Sequence, residues 1–490
     1  MQRDGKHLLS HTAVYLLARG LPGILAFLMI PIFSRLLHPR DYGRYALIIS
    51  AVALINAMLF QWMRLALVRY LPAYTNDRQR LQSTLLGASA VLVALLGVGI
   101  VAADFIPAAA GWRGVLIACW ILLAVQALYD LCCEYTRALM QPWRYMWLQI
   151  FRCAVGITLG VVLVLMGWGW WGPLLGLAAG MMVGVLYAYP TDWRDARPRI
   201  DRHVLAKLSW YGVPISITVA ITVVISSADR FMLAGMLGEA AAGLYSVGVD
   251  FTAQTLTLLM LAVNMAAYPS AVHAWEQHGR EAAQDQMRIN GALLLAIGMP
   301  CVIGLVVLAP GIAHSFLGSE FRATAVQVIP LIAIGSFVAG LKAFHFDAAF
   351  QFVNKTMFQV GIIALAAGLN IVLNLAAIPR WGIAGAAGAS VAAYVAAMAM
   401  TIWFGRRHVP LPIPLGLALR VVLASLLMGV ALYPFRDHIH PLALTAQVIC
   451  GIAIYGMTLL ATNFLDLREA LYGRLRPASP PPAPVVEVQS

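Results

Sequence analysis

Arg19, Arg152 and Arg230 stand inside long apolar runs of this sequence, as do Asp130, Glu134, Asp229 and Asp250. A charge at the centre of a bilayer costs about 2.5–3.5 kcal/mol on insertion scales, so such residues face one another, a wet cavity or a substrate. Arginine is the informative type, because its planar guanidinium offers paired donors that match a phosphate. Inward-facing arginines make a cationic cavity. An anionic substrate needs one to cross a membrane, since its charge cannot be buried unpaired. Arg19 and Arg230 are the first candidates to bind such an anionic substrate, with Arg152 and Arg64 beside them. Arg64, Arg69 and Lys342 stand nearer the ends of their runs, where anchoring at the membrane surface explains them slightly better. Asp229 and Asp250 are candidates for ion coupling or for pairing.

Local pairing competes with these roles. Asp130, Glu134 and Arg137 share one helical face at i,i+3 and i,i+4 spacing, which predicts a structural ion-pair trio. Asp229 and Arg230 are adjacent and point about 100° apart, so each needs a partner elsewhere. Asn370 and Asn374 are spaced for hydrogen bonds between helices. Gly382, Gly385 and Gly388 recur at three-residue spacing, which predicts close backbone approach. Pro22, Pro31, Pro214, Pro269 and Pro300 can kink helices. The six cysteines fall in apolar stretches without metal-ligand spacing and read as small buried hydrophobes. No phosphate-binding loop, HExxH or nucleophile elbow occurs, so no ATP hydrolysis, metal site or catalytic residue is predicted.

The elements that must position these residues follow from composition. Of 490 residues, 61% are apolar and 11% charged, with mean hydropathy +0.81. Soluble proteins hold roughly 45–50% apolar and about 25% charged residues. A soluble enzyme, a secreted domain and a disordered chain are excluded, and an all-α polytopic membrane protein remains. Apolar blocks between residues 11 and 464 give about fourteen transmembrane helices of about 20 residues each. With the N-terminus inside, 22 of the 33 Lys and Arg fall on the inner side, 7 on the outer side and 4 in spans. That bias predicts cytoplasmic N- and C-termini. It also accounts for the net charge of +12 without nucleic acid as a partner. The first apolar run lacks a cleavage pattern and reads as a span.

The sequence repeats itself. RLLHPRDYGRYA from Arg35 and GMLGEAAAGLYS from Gly235 align at a shift of 200, matching Leu37 with Leu237, Gly43 with Gly243 and Tyr45 with Tyr245. WGPLLGLAAG from Trp171 and WGIAGAAGAS from Trp381 align at a shift of 210. Two parallel six-span halves follow, an arrangement typical of carriers with a site between the halves. The expected organisation is a six-helix bundle over 1–190 and a cytoplasmic linker over 191–208. A second six-helix bundle covers 209–404, two further helices 405–466 and a disordered proline-rich tail 467–490.

Three segments, RLLHPRDYGRYALIIS, SSADRFMLAGMLGEAAAGLYSVG and LNLAAIPRWGIAGAAGAS, resemble the polysaccharide-transporter (Wzx-like) branch of the multidrug/oligosaccharidyl-lipid/polysaccharide flippase superfamily. The middle segment, with Asp229, Arg230, Gly243 and Tyr245, is the most specific. The resemblance implies two six-helix bundles in a V plus two C-terminal helices, and a cationic central cavity. It implies flipping of undecaprenyl-pyrophosphate-linked oligosaccharides across the bacterial inner membrane, for O-antigen, capsule or exopolysaccharide synthesis. Membrane lipids, a polysaccharide polymerase and glycosyltransferases are the implied partners. No cofactor is implied beyond a proton or sodium gradient. The lipid II flippases are a sister branch, from which this chain differs by fewer arginines in its first span. The rival readings are a drug/cation antiporter of the same superfamily and a membrane enzyme or scaffold of polysaccharide synthesis.

Overall fold

The computed structural model describes residues 23–103, 105 and 111–464. Arg19, Pro22 and the tail 467–490 lie outside them. The described residues form helices and short connections, and no strand occurs among them. In order these are α1 (Gly23–Leu36), α2 (Pro39–Leu59), α3 (Gln61–Tyr70), α4 (Arg78–Ala103), α5 (Arg113–Ala138), α6 (Pro142–Leu163), α7 (Trp171–Ala188), α8 (Arg202–Leu237), α9 (Glu239–His278), α10 (Arg280–Val307), α11 (Ala309–Phe316), α12 (Ser319–Leu341), α13 (Ala348–Gln351), α14 (Met357–Gly405), α15 (Leu415–Leu432) and α16 (Pro441–Ala461). Lipid offers the backbone no hydrogen bonds, so each span must satisfy its own, which only a helix or closed barrel does.

Twelve of the described helices are long and apolar enough to cross a membrane. The longest, α14, has 49 residues, about 74 Å at 1.5 Å per residue, against a hydrocarbon core of about 30 Å. It cannot cross once. It breaks at Gly382, whose φ of 56° suits glycine. A β-carbon on Gly385 would stand 2.8 Å from the Ala377 carbonyl carbon, so the two arms fold back as a tight hairpin and make two spans. Of the three glycines at this turn, Gly388 faces open space; only Gly385 makes a close approach. Counting both arms gives thirteen crossings among the described residues, and the shorter apolar helix α1 stands where the first of the roughly fourteen is expected. The second span is interrupted at Phe60, which separates α2 from α3.

One core draws on α2–α7 and the first turns of α8, and a second joins Ile30 and Phe33 of α1 to Val247, Phe251 and Phe321, with α15 and α16 packed on α10 through Ala292, Val421, Ala424 and Leu459; these are called the first and second bundles below. The hairpin of α6 and α7 is zipped by small residues. Gly172, Gly176, Gly180 and Gly184 recur every fourth residue, and a β-carbon at Gly176 would stand 2.6 Å from the Gly160 nitrogen. Without a hydrophobic drive between helices in lipid, such backbone contact is what holds them.

Segment 191–208 is less of a free linker than its polarity suggests. Residues 192–201 lie along the start of α4, where Ser83 accepts from the backbone N–H groups of Arg197 and Arg199 and Gln79 donates to the Asp195 carbonyl. Asp201 caps α8 by accepting from His203 N–H at 2.9 Å and Val204 N–H at 3.1 Å. The Val204 N–H and Arg80, whose Nε donates at 2.7 Å, hold its carboxyl below the usual carboxylate range. Helix α8 starts at Arg202, and its Val204 and Leu208 join the apolar core of the first bundle. Beyond Pro214 the same helix runs into the second bundle, where Leu233 packs on Tyr245 and Ile378. Cys119, Cys132, Cys133 and Cys153 are buried as expected; Cys301 is half-buried and Cys450 exposed, because its side of α16 faces away from the protein.

The repeat is visible where the bundles meet. Helices α2 and α9 cross at Gly43 and Gly243, the pair matched in sequence. A β-carbon on Gly43 would stand 2.8 Å from the Glu239 carbonyl carbon, and one on Gly243 would stand 2.8 Å from the Gly43 nitrogen while overlapping the Pro39 carbonyl oxygen. Pro39 and Glu239 are themselves related by the 200-residue shift, so the contact is reciprocal. Around it, Glu239 accepts from Arg40 at 3.0 Å and from Arg44 at 2.8 Å, and His38 meets Glu320 at 3.0 Å. This end is sealed by backbone contact and ion pairs. The other end, where the 192–201 segment lies, carries most of the arginines and is called the basic end below.

Candidate functional site

Arg230 lies seven residues before the sealed end of α8, about 10 Å along the helix. Its Nη1 donates to Ser50 Oγ of α2 at 3.3 Å, across the seam, and its Nη2 donates to Asp250 of α9. Ser50 and Asp250 are again 200 residues apart. The Arg230 side chain is 12% exposed and that of Asp250 30%. Its Nε is buried with no hydrogen-bond partner among the described residues. Thr218, Thr222 and Ser226 precede Arg230 at four-residue steps along α8, with Thr222 and Ser226 exposed. This stripe of hydroxyls leads from the basic half of the helix to the guanidinium.

Arg152 approaches from the first bundle. It is half-buried on α6, with its guanidinium 5.8 Å from the centre of the Tyr129 ring. Arg152 and Arg230 thus stand on opposite bundles, and Arg64 belongs to the first. Its Nη1 donates to Asp130 at 2.7 Å, Asn56 donates to the same carboxylate at 3.0 Å, and the Arg64 Nε is left without a partner among the described residues. The expected trio is therefore split. Arg137 pairs with Glu134 one turn away at 2.5 Å, while Asp130, two turns from Arg137, turns to Arg64 on α3. Lys342 is a buried partner of Asp347 at 2.9 Å, tied within its own bundle.

Asp229 points away from Arg230, as adjacency requires. It is 4% exposed. Tyr245 donates to it at 2.6 Å, Asn374 donates at 2.6 Å, and Ser390 donates to the same oxygen as Tyr245. Asn374 also donates to Asn370 at 3.1 Å, and Asn370 to Ser390 at 3.3 Å. The carboxylate is surrounded by neutral donors from α9 and both arms of α14, and no ion pair to it occurs among the described residues. Such a group can hold a negative charge, accept a proton or face a small cation. The spacing of Asn370 and Asn374 signalled part of this network. Ser390 sits in a run of alanine and glycine, and Ser50 and Asn56 are single polar residues in apolar helices, so none carried a signal before the helices were assembled.

Residues 32–327 match the model of a family described as polysaccharide biosynthesis protein. A curated relative, the uncharacterized membrane protein MJ1068 of Methanocaldococcus jannaschii, is 21% identical over 260 residues, 53% of this chain and 51% of that protein; the match spans about half the relative's length. Among solved structures, the lipid II flippase MurJ in an inward closed conformation superposes with a TM-score of 0.76 at 13% identity, covering 94% of this chain and 100% of that one. An inward-facing multidrug resistance MATE family transporter of the MOP superfamily superposes with a TM-score of 0.58 at 15% identity, covering 81% and 98%. At these identities the likeness is one of fold. With a family match over more than half its length, this multi-pass membrane chain belongs to the polysaccharide biosynthesis protein family, on the fold of the multidrug/oligosaccharidyl-lipid/polysaccharide transporters.

Proposed function

We propose that the protein flips an undecaprenyl-pyrophosphate-linked oligosaccharide from the cytoplasmic to the periplasmic leaflet of a bacterial inner membrane, for O-antigen, capsule or exopolysaccharide synthesis. The observation that carries this reading is Arg230 in the seam, bonded to Ser50 of one bundle and Asp250 of the other. A guanidinium that bridges two bodies senses their separation. When the pyrophosphate arrives it takes over the donors now given to Ser50 and Asp250, and the energy of that exchange biases the bundles toward the alternative arrangement. The sugars travel between the bundles and the polyprenyl tail stays in lipid. Arg19 is assigned to the same anion site, and Arg64, paired with Asp130, to the path that leads to it. The 22-to-7 charge bias supports cytoplasmic termini.

Asp229 is proposed as the coupling group. Its buried carboxylate can bind a proton or sodium ion as the gradient changes and alter how α8, α9 and α14 pack, with Asp250 answering through Arg230. The chain acts without a cofactor and performs no sugar transfer itself; a polymerase and glycosyltransferases act before and after it. A drug/cation antiporter on this fold would concentrate acidic and aromatic groups alone, where the seam here sets Arg230 against Asp250.

Arg230→Ala is expected to reduce polysaccharide export in a deletion strain at least about 100-fold. Loss of a charged hydrogen-bond pair to a buried anion is worth about 3 kcal/mol. Arg230→Lys should restore only part, because a point charge lacks the fork. Surface polysaccharide measured by gel and antiserum, at matched protein levels, reads the result. Full export by Arg230→Ala would remove Arg230 from the substrate path.

A further inference from the structure

A second opening at the basic end is separate from the seam. Gln61, Arg64 and Arg69 of α3, Glu134 and Arg137 of α5, and Tyr211 of α8 line a cavity of about 410 Å³. That is within the roughly 300–1,000 Å³ typical of small-molecule sites. Both bundles contribute, because the first turns of α8 dock on the first bundle. A β-carbon on Gly212 would stand 2.8 Å from Trp62 Cβ. The Tyr211 ring meets Tyr70 edge-on at 5.7 Å, and the Lys207 ammonium lies 5.1 Å from the centre of the Tyr70 ring.

The lining has a mixed chemistry. Three arginines face one glutamate, and Arg69 is exposed to the cavity mouth. Three buried polar atoms of this lining have no hydrogen-bond partner among the described residues: Arg64 Nε, a donor, and the acceptors Gln61 Oε1 and Glu134 Oε2, the last already in ion-pair contact with Arg137. An anion alone would satisfy the donors and leave the Gln61 oxygen stranded. A ligand that carries a hydroxyl beside a diphosphate satisfies both. An aromatic ring beside them offers a flat face to the C–H side of a sugar.

We infer that this cavity is a capture site for the glycosyl diphosphate headgroup, occupied before the headgroup reaches the seam. Arg69 and Arg137 hold the diphosphate, Gln61 accepts a hydroxyl of the first sugar, and Tyr211 packs against its ring. Arg64 lies between the cavity and Asp130, so a bound diphosphate competes with Asp130 for it. The identity of the ligand rests on the flippase reading above; the residues, the two-part chemistry and the location do not depend on Arg230. Diphosphate chemistry could also reach the cavity as a free anion or be mimicked by an anionic lipid headgroup, and the test separates these sources.

The full chain in phosphatidylcholine nanodiscs is titrated calorimetrically with citronellyl-diphospho-N-acetylglucosamine and, separately, with inorganic diphosphate. Arg69→Gln combined with Arg137→Gln should weaken both probes about tenfold or more. Gln61→Ala should weaken the sugar probe about tenfold, one hydrogen bond's worth, and leave inorganic diphosphate unchanged. Arg69→Lys combined with Arg137→Lys should keep binding of inorganic diphosphate, which shows that the fold survives. Phosphatidylglycerol added to the nanodiscs should leave the sugar probe bound. The inference is overturned if the glutamine pair binds both probes as the unaltered chain does, if Gln61→Ala weakens neither or both equally, or if phosphatidylglycerol displaces the sugar probe. Should the unaltered chain bind no sugar diphosphate, the flippase reading fails together with this one. Should it bind through residues other than these while Arg230→Ala still stops export, only the capture site fails.

Discussion

Gly43→Leu is expected to stop transport while both bundles remain folded. A β-carbon there would already overlap the Glu239 carbonyl, and the helix of Gly243 leaves no room to retreat without parting α2 from α9. The clash involves backbone on both sides, so no rotamer relieves it. Overpacking a tight contact costs about 1–3 kcal/mol, and four added carbons at a backbone crossing belong at the upper end. At 1.4 kcal/mol per tenfold, the sealed arrangement falls about 100-fold relative to the parted one. A carrier that cannot seal one end cannot alternate. Gly243→Leu should behave the same way, since the contact is reciprocal, and Gly43→Ala should show a smaller loss. The measurement is labelling of Ser50→Cys, which lies 2% exposed beneath the seam, by a membrane-impermeant maleimide in a background without the six native cysteines. Labelling from the sealed side should be slow with glycine at 43 and fast with leucine. Leucine at 43 with unaltered labelling and normal export would mean that the seam does not gate the path.

Asp229→Ala is expected to lower stability by about 3–5 kcal/mol and to abolish dependence on the ion gradient. Tyr245, Asn374 and Ser390 each donate to this carboxylate. Removing the common acceptor strands three buried donors at about 1–3 kcal/mol each before relaxation. Asp229→Asn keeps the shape but brings an amide with its own donors to a site already crowded with donors, so it should lose about half as much stability and all of the coupling. Tyr245→Phe removes one donor of three. It should cost about 1 kcal/mol and leave coupling in place, which separates a packing role from an ion-binding one. Thermal unfolding of the solubilised chain reads the first effect, and uptake of a fluorescent lipid-linked sugar into proteoliposomes with and without an imposed gradient reads the second. Gradient-driven uptake by Asp229→Asn equal to that of the unaltered chain would take the coupling role away from this residue.

How much of this was legible beforehand varied with the kind of information each feature needs. The spans were legible because each must satisfy its own backbone in lipid, so length and apolarity suffice. The break in α14 falls at Gly382, the first of the glycines whose spacing marked a close backbone approach. The split of Asp130 from Arg137 was not legible. Spacing along one helix ranks Arg137 as the partner, but Arg64 on α3 comes closer once α3 and α5 pack.

The one-dimensional sequence therefore determined a many-spanned, basic-ended, internally repeated helical protein and marked Arg152, Asp229, Arg230 and Asp250 as unusual, because charge in an apolar run is costly wherever the run ends up. It even paired Gly43 with Gly243. Only the tertiary structure decided that these two glycines touch, that Arg230 bridges two bundles through Ser50, and that Asp229 is satisfied entirely by neutral donors. Apart from the Tyr245 bond to Asp229, those facts depend on distances between residues 145–200 positions apart in the chain. Local periodicity carries no information at that range, and only the packing of one bundle against the other supplies it.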